Sequence, residues 1–534
     1  MGTDASGMQR WHPRLIEAAA ALNENRLDVA ERLLKPHLKD DPYDVRAIRM
    51  LAELAARIGR MRDAESLLRR ALELAPNFSA ARANLALVLG RTGRPAEAME
   101  LLEPLLEVEP DAVSHMNLKA ATLGRLGDFN EAIHIYEAVL AKTPRQPMVW
   151  VSYGHMLKTV GKLNEGVAAY RKAIELKPEL GEAWWSLANL KTIRFSDADI
   201  AEMQSALEVP GLREQDRIHL DFALGKAMHD AGRWDEAFGH YRSGNALRLK
   251  RHPFNEDQIK RLVDRTIQTF SADVLAARGG CEAPDPIFIL GMPRAGSTLT
   301  EQILASHSQV EGTSELPDMP AIARQKSRFP ASAAEMSADE RRAAGEEYLR
   351  RTSVQRRTGR PFFIDKLPNN WMFVPFIHLV LPNAKIIDAR RHPLGCCLSN
   401  FRQHFARGQD FTYDLEDLGH YYSDYVRLMA HVDAVLPGRV HRVIYERMVD
   451  DTEAEIRKLL DYCGLEFEPA CLTFYETERA VRTPSSEQVR KPIYRAATEE
   501  WQPYEEHLRT LKEALRPILD AYPDVPKSHI SPNK

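Results

Sequence analysis

Apolar side chains in the first half of the chain recur three and four positions apart, which is the spacing of amphipathic helices. Stretches such as AESLLRRALELAP and EAIHIYEAVLAKTP show this spacing, and short polar turns separate them. Three kinds of residue also return every 34 positions, so the pattern predicts a stack of helical hairpins. They are a glycine (Gly59, Gly93, Gly127 and Gly161), a small residue five positions after it (Ala64, Ala98, Ala132 and Gly166) and a proline (Pro42, Pro76, Pro110, Pro144 and Pro178).

Each recurring residue has a place in such a hairpin. Glycine permits the tight turn between the two helices, the small residue lets them approach closely, and proline cannot continue the helix before it. Asn25 and Ala30 hold the equivalent positions one step earlier. Gly232 marks a later hairpin, and because it lies 71 residues after Gly161, we expect one degenerate unit between them.

The pattern changes near residue 277, where ARGGCEAPDP is typical of a linker. Short apolar runs such as PIFIL and KIIDA then precede helical stretches, as in a domain with a mainly parallel sheet. We therefore predict an α-solenoid over residues 11–250, a linker over 251–284, and a three-layer, P-loop-like α/β domain over 285–525.

Composition narrows the class of protein. With 534 residues, 44% of them hydrophobic and 28% charged, the chain is long enough for two or three folded domains. A net charge of −4 does not favour a nucleic-acid binder, so any anion site must be a local cluster. No apolar run is long enough to span a membrane and the N-terminus lacks a signal-peptide core. Five cysteines without metal-ligand spacing indicate a reduced, cytoplasmic compartment and no metal site.

Residues 11–250 resemble the tetratricopeptide repeat family, because the glycine, the small residue and the proline all recur with the same period of 34 residues. Such hairpins cannot bury their apolar faces alone, so they stack into a curved solenoid. The resemblance implies a concave face that holds a peptide or a partner protein. The alternative is that the repeats form a spacer or a dimerisation arm without a ligand. A homodimer is therefore one possible oligomeric state.

A predicted anion-binding loop follows the strand over PIFIL. In GMPRAGSTLTEQILASH a glycine-bearing turn leads into a helix, which places backbone N–H groups and the positive helix end around an anion. An ATP loop of the form GxxxxGK[ST] loses its main support because no lysine precedes the hydroxyl pair. The segment instead resembles the 5′-phosphosulfate loop of sulfotransferases that use 3′-phosphoadenosine 5′-phosphosulfate (PAPS), in the form found in tyrosylprotein sulfotransferases. The cofactor-binding residues implied by this resemblance are Pro293, Arg294, Ala295, Gly296, Ser297 and Thr298.

A second motif lies in PNAKIIDARRHPLGCCLSNF, where Arg391 follows an apolar strand and Ser399 comes eight residues later. In sulfotransferases an arginine and a serine at this spacing hold the 3′-phosphate of PAPS, so the spacing favours Arg391 over its neighbour Arg390. Later stretches also resemble the family. They imply Tyr445 on a further strand, and Ser485, Arg490 and Lys491 in a loop over the nucleotide.

Sulfuryl transfer requires stabilisation of the charge on the leaving oxygen and a group that takes the proton of the acceptor. The resemblance implies Arg294 and Lys366 for the first role, and Lys366 ends the strand predicted over FFIDK. It implies Glu315, 21 residues after Arg294, as the base. Cytosolic sulfotransferases use a histidine instead. The competing bases are His307, His392 and His404.

Together these motifs predict a sulfotransferase that moves a sulfuryl group from PAPS to an acceptor hydroxyl and releases 3′,5′-adenosine bisphosphate (PAP). One acceptor is a protein or peptide tyrosine recruited by the repeats, and a small molecule, lipid or carbohydrate is the variant. A repeat scaffold with a nucleotide-binding but inactive domain is the alternative from another class, and an ATP-dependent kinase is a third. The sequence does not specify the acceptor, the oligomeric state or the identity of the base.

Overall fold

The structure is a computed structural model and describes residues 11–406, 408–479, 483, 486, 488–493 and 495–526. Two compact units divide the chain, the first ending at Leu176 and the second beginning at Lys177. The last part of the repeat pattern therefore belongs to the same unit as the α/β domain.

Helical hairpins form the described part of the first unit. The recurring glycine stands at the turn of a hairpin, in the left-handed region that residues with a Cβ rarely adopt: φ is +82° at Gly59 and +95° at Gly127. Asn25 takes the same place in the first hairpin with φ +57°, as its position in the pattern predicts. The helices are α1 (Pro13–Asn23), α2 (Leu27–Asp40), α3 (Val45–Arg57), α4 (Met61–Leu74), α5 (Ser79–Arg91), α6 (Pro95–Val108), α7 (Val113–Leu126), α8 (Phe129–Lys142), α9 (Pro147–Thr159) and α10 (Leu163–Leu176).

The second unit opens with helices that continue the repeat in modified form. The first of them is only eight residues long, as fits the degenerate unit that the spacing predicts. The last pair is longer and turns at Gly232, where φ is +72°. These helices are α11 (Gly181–Ala188), α12 (Asp197–Leu207), α13 (Glu214–Asp230) and α14 (Trp234–Arg251), and α15 (Glu256–Thr269) and α16 (Ala272–Leu275) follow them.

A parallel sheet lies at the centre of the second unit. Its strands are β1 (Pro286–Gly291), β2 (Val310–Ser314), β3 (Phe362–Lys366), β4 (Lys385–Arg390) and β5 (His441–Ile444). Their order is β2-β3-β1-β4-β5, with β1 paired to β3 from Pro286 opposite Phe363 and to β4 from Ile287 opposite Lys385. The apolar runs PIFIL and KIIDA are two of these buried strands, as predicted.

Helices cover both faces of the sheet. Ile287 and Ile289 share a buried cluster with the helices at 297–305 and 452–463, whereas Phe288 points the other way and contacts Tyr348 with ring centroids 5.4 Å apart. The α-solenoid followed by a three-layer α/β domain is thus confirmed. The remaining helices are α17 (Ser297–Ala305), α18 (Asp318–Ala323), α19 (Ala331–Ala334), α20 (Ala338–Thr352), α21 (Val374–Val380), α22 (Pro393–Phe401), α23 (Leu415–Val435), α24 (Tyr445–Asp450), α25 (Thr452–Cys463) and α26 (Arg509–Ala521).

Short 3-10 helices and the packing of α15 complete this unit. The range 251–284, predicted as a linker, contains α15, and Asp264 of this helix accepts a hydrogen bond from Arg427 of α23 at 2.5 Å. The 3-10 helices are Ser353–Gln355, Pro368–Phe373, Asp410–Tyr413, Pro469–Cys471, Phe474–Glu476, Arg495–Thr498 and Gln502–Leu508.

Candidate active site

The predicted site residues converge on one edge of the sheet. All its strand pairs are parallel, so the carboxyl ends of the strands lie along the same edge. A candidate residue or loop stands at each of these ends. In sheet order they are Glu315 after β2, Lys366 as the last residue of β3, the loop 292–296 after β1, Arg391 after β4 and Tyr445 after β5. Tyr445 begins α24 and does not lie on the strand, which ends at Ile444.

The anion loop has the backbone that such a loop requires. Gly296 precedes α17 with φ +101°, and Arg294 is one of the few residues with a Cβ in the left-handed region, at φ +66°. A Cβ at Gly296 would lie 3.1 Å from Tyr445 Cδ2, so glycine also allows this close approach. Ser297 and Thr298 form the first turn of α17, where backbone N–H groups lack carbonyl partners within the helix. The loop therefore offers amide and hydroxyl donors to an anion.

The two predicted phosphate motifs meet. Arg294 Nε donates to Ser399 Oγ at 3.1 Å, and Arg391 Nη1 lies 3.5 Å from the Arg294 carbonyl oxygen. The Arg391 guanidinium also lies over the Tyr445 ring, 5.0 Å from its centroid. One pocket includes eight of the predicted residues. They are Arg294, Gly296, Ser297, Thr298, Arg391, Ser399, Tyr445 and Lys491.

The remaining predicted cofactor residues have other positions. Pro293 does not line this pocket, and its carbonyl accepts a hydrogen bond from Asn400 Nδ2 at 2.7 Å. Ala295 is buried in the loop. Arg490 Nη2 donates to the Arg479 carbonyl at 3.1 Å. Ser485 lies outside the residues that the structure describes.

Sequence analysis missed several residues of the pocket. Gln488 accepts a hydrogen bond from Arg294 Nη2 at 3.0 Å through its Oε1. A neutral amide two or three residues from predicted cations carries no sequence signal of its own. The other missed lining residues are Leu299, Val489, Pro492, Ile493 and Glu500.

Arg390 and Arg391 have different environments although they are neighbours. Arg390 is buried, and its Nη2 donates to Asp388 Oδ2 at 2.9 Å while its Nε donates to the Tyr425 hydroxyl at 3.2 Å. Arg442 Nε also donates to Asp388 Oδ2, at 3.0 Å. Burial raises the pKa of Asp388, but the two guanidinium charges outweigh it and hold that pKa below its usual value. Arg390 thus completes a buried ion network, while Arg391 faces the pocket.

Glu315 and Lys366 form a second part of the site. Lys366 Nζ donates to Glu315 Oε1 at 2.5 Å; the lysine is buried and the Glu315 side chain is 49% exposed. Neither residue lines the pocket around Arg294. Beside them Asp365 is fully buried and accepts a hydrogen bond from the Tyr348 hydroxyl at 2.9 Å. Burial raises the pKa of Asp365 to about 8, so this carboxyl is mainly neutral at pH 7.

The three candidate histidines are held by other contacts. His307 is buried, and its Nε2 lies 2.9 Å from the Glu466 carbonyl oxygen. The His392 ring stacks on Trp501 with centroids 5.4 Å apart. His404 Nε2 lies 3.1 Å from His219 Nε2, and burial lowers the pKa of His404 to about 2. Each of the three histidines therefore has contacts that are typical of packed side chains.

A second cavity adjoins the pocket. It shares Arg294, Ser399, Gln488, Lys491, Pro492 and Glu500 with it. Helices α11, α13 and α14 supply another part of the lining, and the segment after α22 supplies Arg402 and Gln403. Arg402 Nη2 donates to Glu500 Oε2 at 2.7 Å. The lining residues from these three helices are Trp185, Ala188, Lys226, His229, Asp230 and Tyr241.

The described part of the chain contains no group of three or more histidine, cysteine, aspartate and glutamate side chains arranged to hold a metal ion. Within the same residues, every helix is too short or too polar to cross a membrane.

Comparison with known proteins identifies both parts of the chain. Residues 286–469 match the sulfotransferase family. Residues 17–78, 59–121 and 149–180 match tetratricopeptide repeat families. The chain therefore carries tetratricopeptide repeats and a sulfotransferase-family domain, as the motifs predict.

Individual relatives cover parts of the chain. An uncharacterised protein of Aquifex aeolicus is 33% identical over 364 residues, which are 63% of this chain and 48% of that protein. The nodulation protein NoeE of Sinorhizobium fredii is 27% identical over 229 residues, or 36% of this chain and 52% of that protein. This chain thus spans about half the length of these relatives. The solved sulfotransferase domain of the Synechococcus olefin synthase is similar at 22% identity, with a TM-score of 0.32 over 41% of this chain and 88% of that one.

Proposed function

We propose that this chain is a PAPS-dependent sulfotransferase that transfers the sulfuryl group to an acceptor hydroxyl and releases PAP. The observation that carries the proposal is the meeting of the anion loop with Arg391 and Ser399 in one pocket. PAPS has two anionic groups, one at each side of its ribose, and this pocket offers two groups of donors. A nucleotide without a 3′-phosphate would leave the second group unused.

The chemistry of the donors supports this cofactor. Ser297 and Thr298, with the first N–H groups of α17, would hold the 5′-phosphosulfate. Arg391 and Ser399 would hold the 3′-phosphate, since a guanidinium and a hydroxyl both donate to a dianion. Among the described residues that line the pocket, Glu500 is the one carboxylate, and its charge is compensated by Arg402.

Glu315 and Lys366 would carry out the transfer. The acceptor oxygen forms a bond to sulfur while the bond from sulfur to the bridging phosphate oxygen breaks, and the acceptor proton passes to the Glu315 carboxylate. Lys366 would stabilise the charge that grows on the bridging oxygen. The half-exposed Glu315 can reach an acceptor from solvent, and Lys366 keeps it oriented through their hydrogen bond. In the structure Arg294 bonds to Ser399 and Gln488, so we assign it to cofactor binding as well as to the leaving group.

The second cavity is the proposed approach for the acceptor, whose hydroxyl would extend beyond this cavity to Glu315, because Glu315 lines neither the cavity nor the cofactor pocket. It adjoins the cofactor pocket and contains aromatic, cationic and carboxylate side chains, a mixture that suits a hydroxyl-bearing polar molecule or an extended peptide. The sequence motifs favour the tyrosylprotein type, so a protein or peptide tyrosine is the first acceptor to test. The repeats of the first unit would recruit that acceptor or another protein partner in the cytoplasm.

Calorimetric titration of the full chain with PAP tests the cofactor. We expect micromolar binding of PAP, and weak binding of ATP with magnesium. Adenosine 5′-monophosphate is the matched control, because it lacks only the 3′-phosphate and should bind far more weakly. Preference for ATP, or no binding of PAP, would contradict the proposal. Binding of PAP without transfer to any acceptor in a panel would favour the inactive scaffold.

A further inference from the structure

Arg479 connects α17, the helix that follows the anion loop, with the segment 474–479. Its Nε donates to Gln302 Oε1 at 2.6 Å and its Nη1 donates to Glu301 Oε1 at 2.9 Å, and both acceptors lie on α17. Gln302 Nε2 in turn donates to the carbonyls of Phe474 and Thr477 at 2.9 and 3.0 Å. The Glu301 side chain is only 3% exposed, so water screens this ion pair weakly.

A glycine makes room for this guanidinium. A Cβ at Gly312 of β2 would lie 3.0 Å from Arg479 Nη1 and 2.9 Å from Ala305 Cβ, closer than such atoms normally pack. Arg479 therefore lies between α17, which begins at the anion loop, and β2, which leads to Glu315.

From Arg479 the contacts return to the cofactor pocket. The Arg479 carbonyl accepts a hydrogen bond from Arg490 Nη2 at 3.1 Å. Lys491, the next residue, lines the pocket, and its backbone N–H donates to the Gln488 carbonyl at 3.3 Å. Gln488 Oε1 accepts from Arg294 of the anion loop at 3.0 Å. The contacts thus form a closed ring that begins and ends at the anion loop and its helix.

We propose that Arg479 is a positioning residue: by bonding to α17 it holds Gln488 and Lys491 at the phosphate-binding pocket, which Arg479 itself does not line. The planar guanidinium is suited to this task because it donates to a carboxylate and an amide at once, which a lysine ammonium does less well. The inference rests on the proposed function, since PAP is the ligand whose affinity it concerns.

Titration of full-length Arg479→Gln with PAP tests the inference. We expect the Kd to rise about tenfold, the size of one lost charge-assisted contact to a phosphate. Arg479→Lys should recover part of the affinity, because lysine keeps the charge opposite Glu301 but cannot donate to Glu301 and Gln302 with the geometry of a guanidinium. If the unaltered chain does not bind PAP, the proposed function fails; if it binds and Arg479→Gln binds equally well, only this inference fails.

A double variant separates positioning from loss of stability. Arg479→Gln alone leaves the Glu301 charge buried without its partner, which by itself destabilises the fold. Arg479→Gln with Glu301→Gln removes that charge and should recover the melting temperature, while the affinity for PAP stays low. Recovery of both quantities would overturn the positioning role, because stability alone would then explain the loss.

Lys491→Ala completes the test. In the unaltered chain it should weaken PAP binding about tenfold, because a cation near the phosphate is lost. In the Arg479→Gln background it should add little, since Lys491 is already displaced, and the two effects are then not additive. Additive effects would show that Arg479 and Lys491 act independently and would contradict the inference. Gly312→Ala, which crowds the same guanidinium, should reproduce the affinity loss of Arg479→Gln.

Discussion

One ion pair of the first unit and one of the second differ in exposure and in the distance along the chain that they connect. In the first unit Arg32 and Asp28 are four residues apart on one helix, and their side chains are 74% and 77% exposed. In the second unit Arg479 and Glu301 are 178 residues apart and bring two segments together. Exposed pairs contribute little to stability, whereas a buried pair fixes the position of its partners and is costly to break. We therefore expect the first unit to tolerate loss of the Arg32–Asp28 pair and the second unit to be sensitive to loss of the Arg479–Glu301 pair.

The largest effect is expected for Glu315→Gln. It should lower kcat about 10²–10⁴-fold, as expected for loss of a general base, while the affinity for PAP stays nearly unchanged. Turnover with labelled PAPS and calorimetry with PAP measure the two quantities. Normal turnover would remove Glu315 from the role of base and return the search to the histidines.

Arg390→Ala should come next and should act on stability. It leaves the fully buried Asp388 with less compensation, so we expect the free energy of unfolding of the second unit to fall by about 3–5 kcal/mol. Urea unfolding measures this loss. The double variant with Asp388→Ala is the control and should lose less, because the uncompensated charge is then absent.

Arg391→Ala should show that Arg391 has a different role from its neighbour Arg390. This side chain faces the pocket, so its loss should raise the Kd for PAP about 10–100-fold with little change in unfolding. Calorimetry and urea unfolding on the same preparation check both statements. An unchanged Kd would show that Arg391 does not bind the 3′-phosphate. A large loss of stability would show that Arg391 has a structural role like that of Arg390.

Gly59→Ala should have the smallest effect and should remain within the first unit. A methyl group meets no atom within 4 Å at this turn, but φ of +82° is unfavourable for alanine and costs about 1 kcal/mol. Gly59→Asn is the matched control, since Asn25 already occupies the equivalent turn. Thermal unfolding should therefore rank glycine above asparagine and asparagine above alanine. Equal stability of all three would mean that backbone conformation does not limit this turn.

Local features of the fold could be predicted because each is specified by a few neighbouring residues. The turn at Gly59, the asparagine in its place at position 25 and the strand over PIFIL all follow from short-range conformational preferences. The resemblance of the two phosphate motifs to a known family also assigns Arg294, Arg391 and Ser399 to one site, although they are far apart in the sequence.

Long-range contacts could not be predicted in the same way. Gln488 reaches Arg294 across 194 residues, and Arg479 reaches Glu301 across 178. Nothing in the local sequence distinguishes this arginine from a solvated one, because its role depends on where α17 and β2 lie in the fold. The part that α11, α13 and α14 take in lining the second cavity could not be predicted for a related reason, because the repeat period does not show which hairpins pack on the sheet domain.

The contacts of α14 define which part of the chain could be exchanged between proteins. Asn245 donates to the Phe401 carbonyl at 2.8 Å, and Arg248 donates to the Tyr413 hydroxyl at 2.7 Å. A chimera joined at residue 285 would separate both side chains from these partners and would open one wall of the second cavity. A joint at residue 177 keeps both contacts intact, so the unit that can be exchanged as a whole is longer than the sheet domain and includes the last helices of the repeat array.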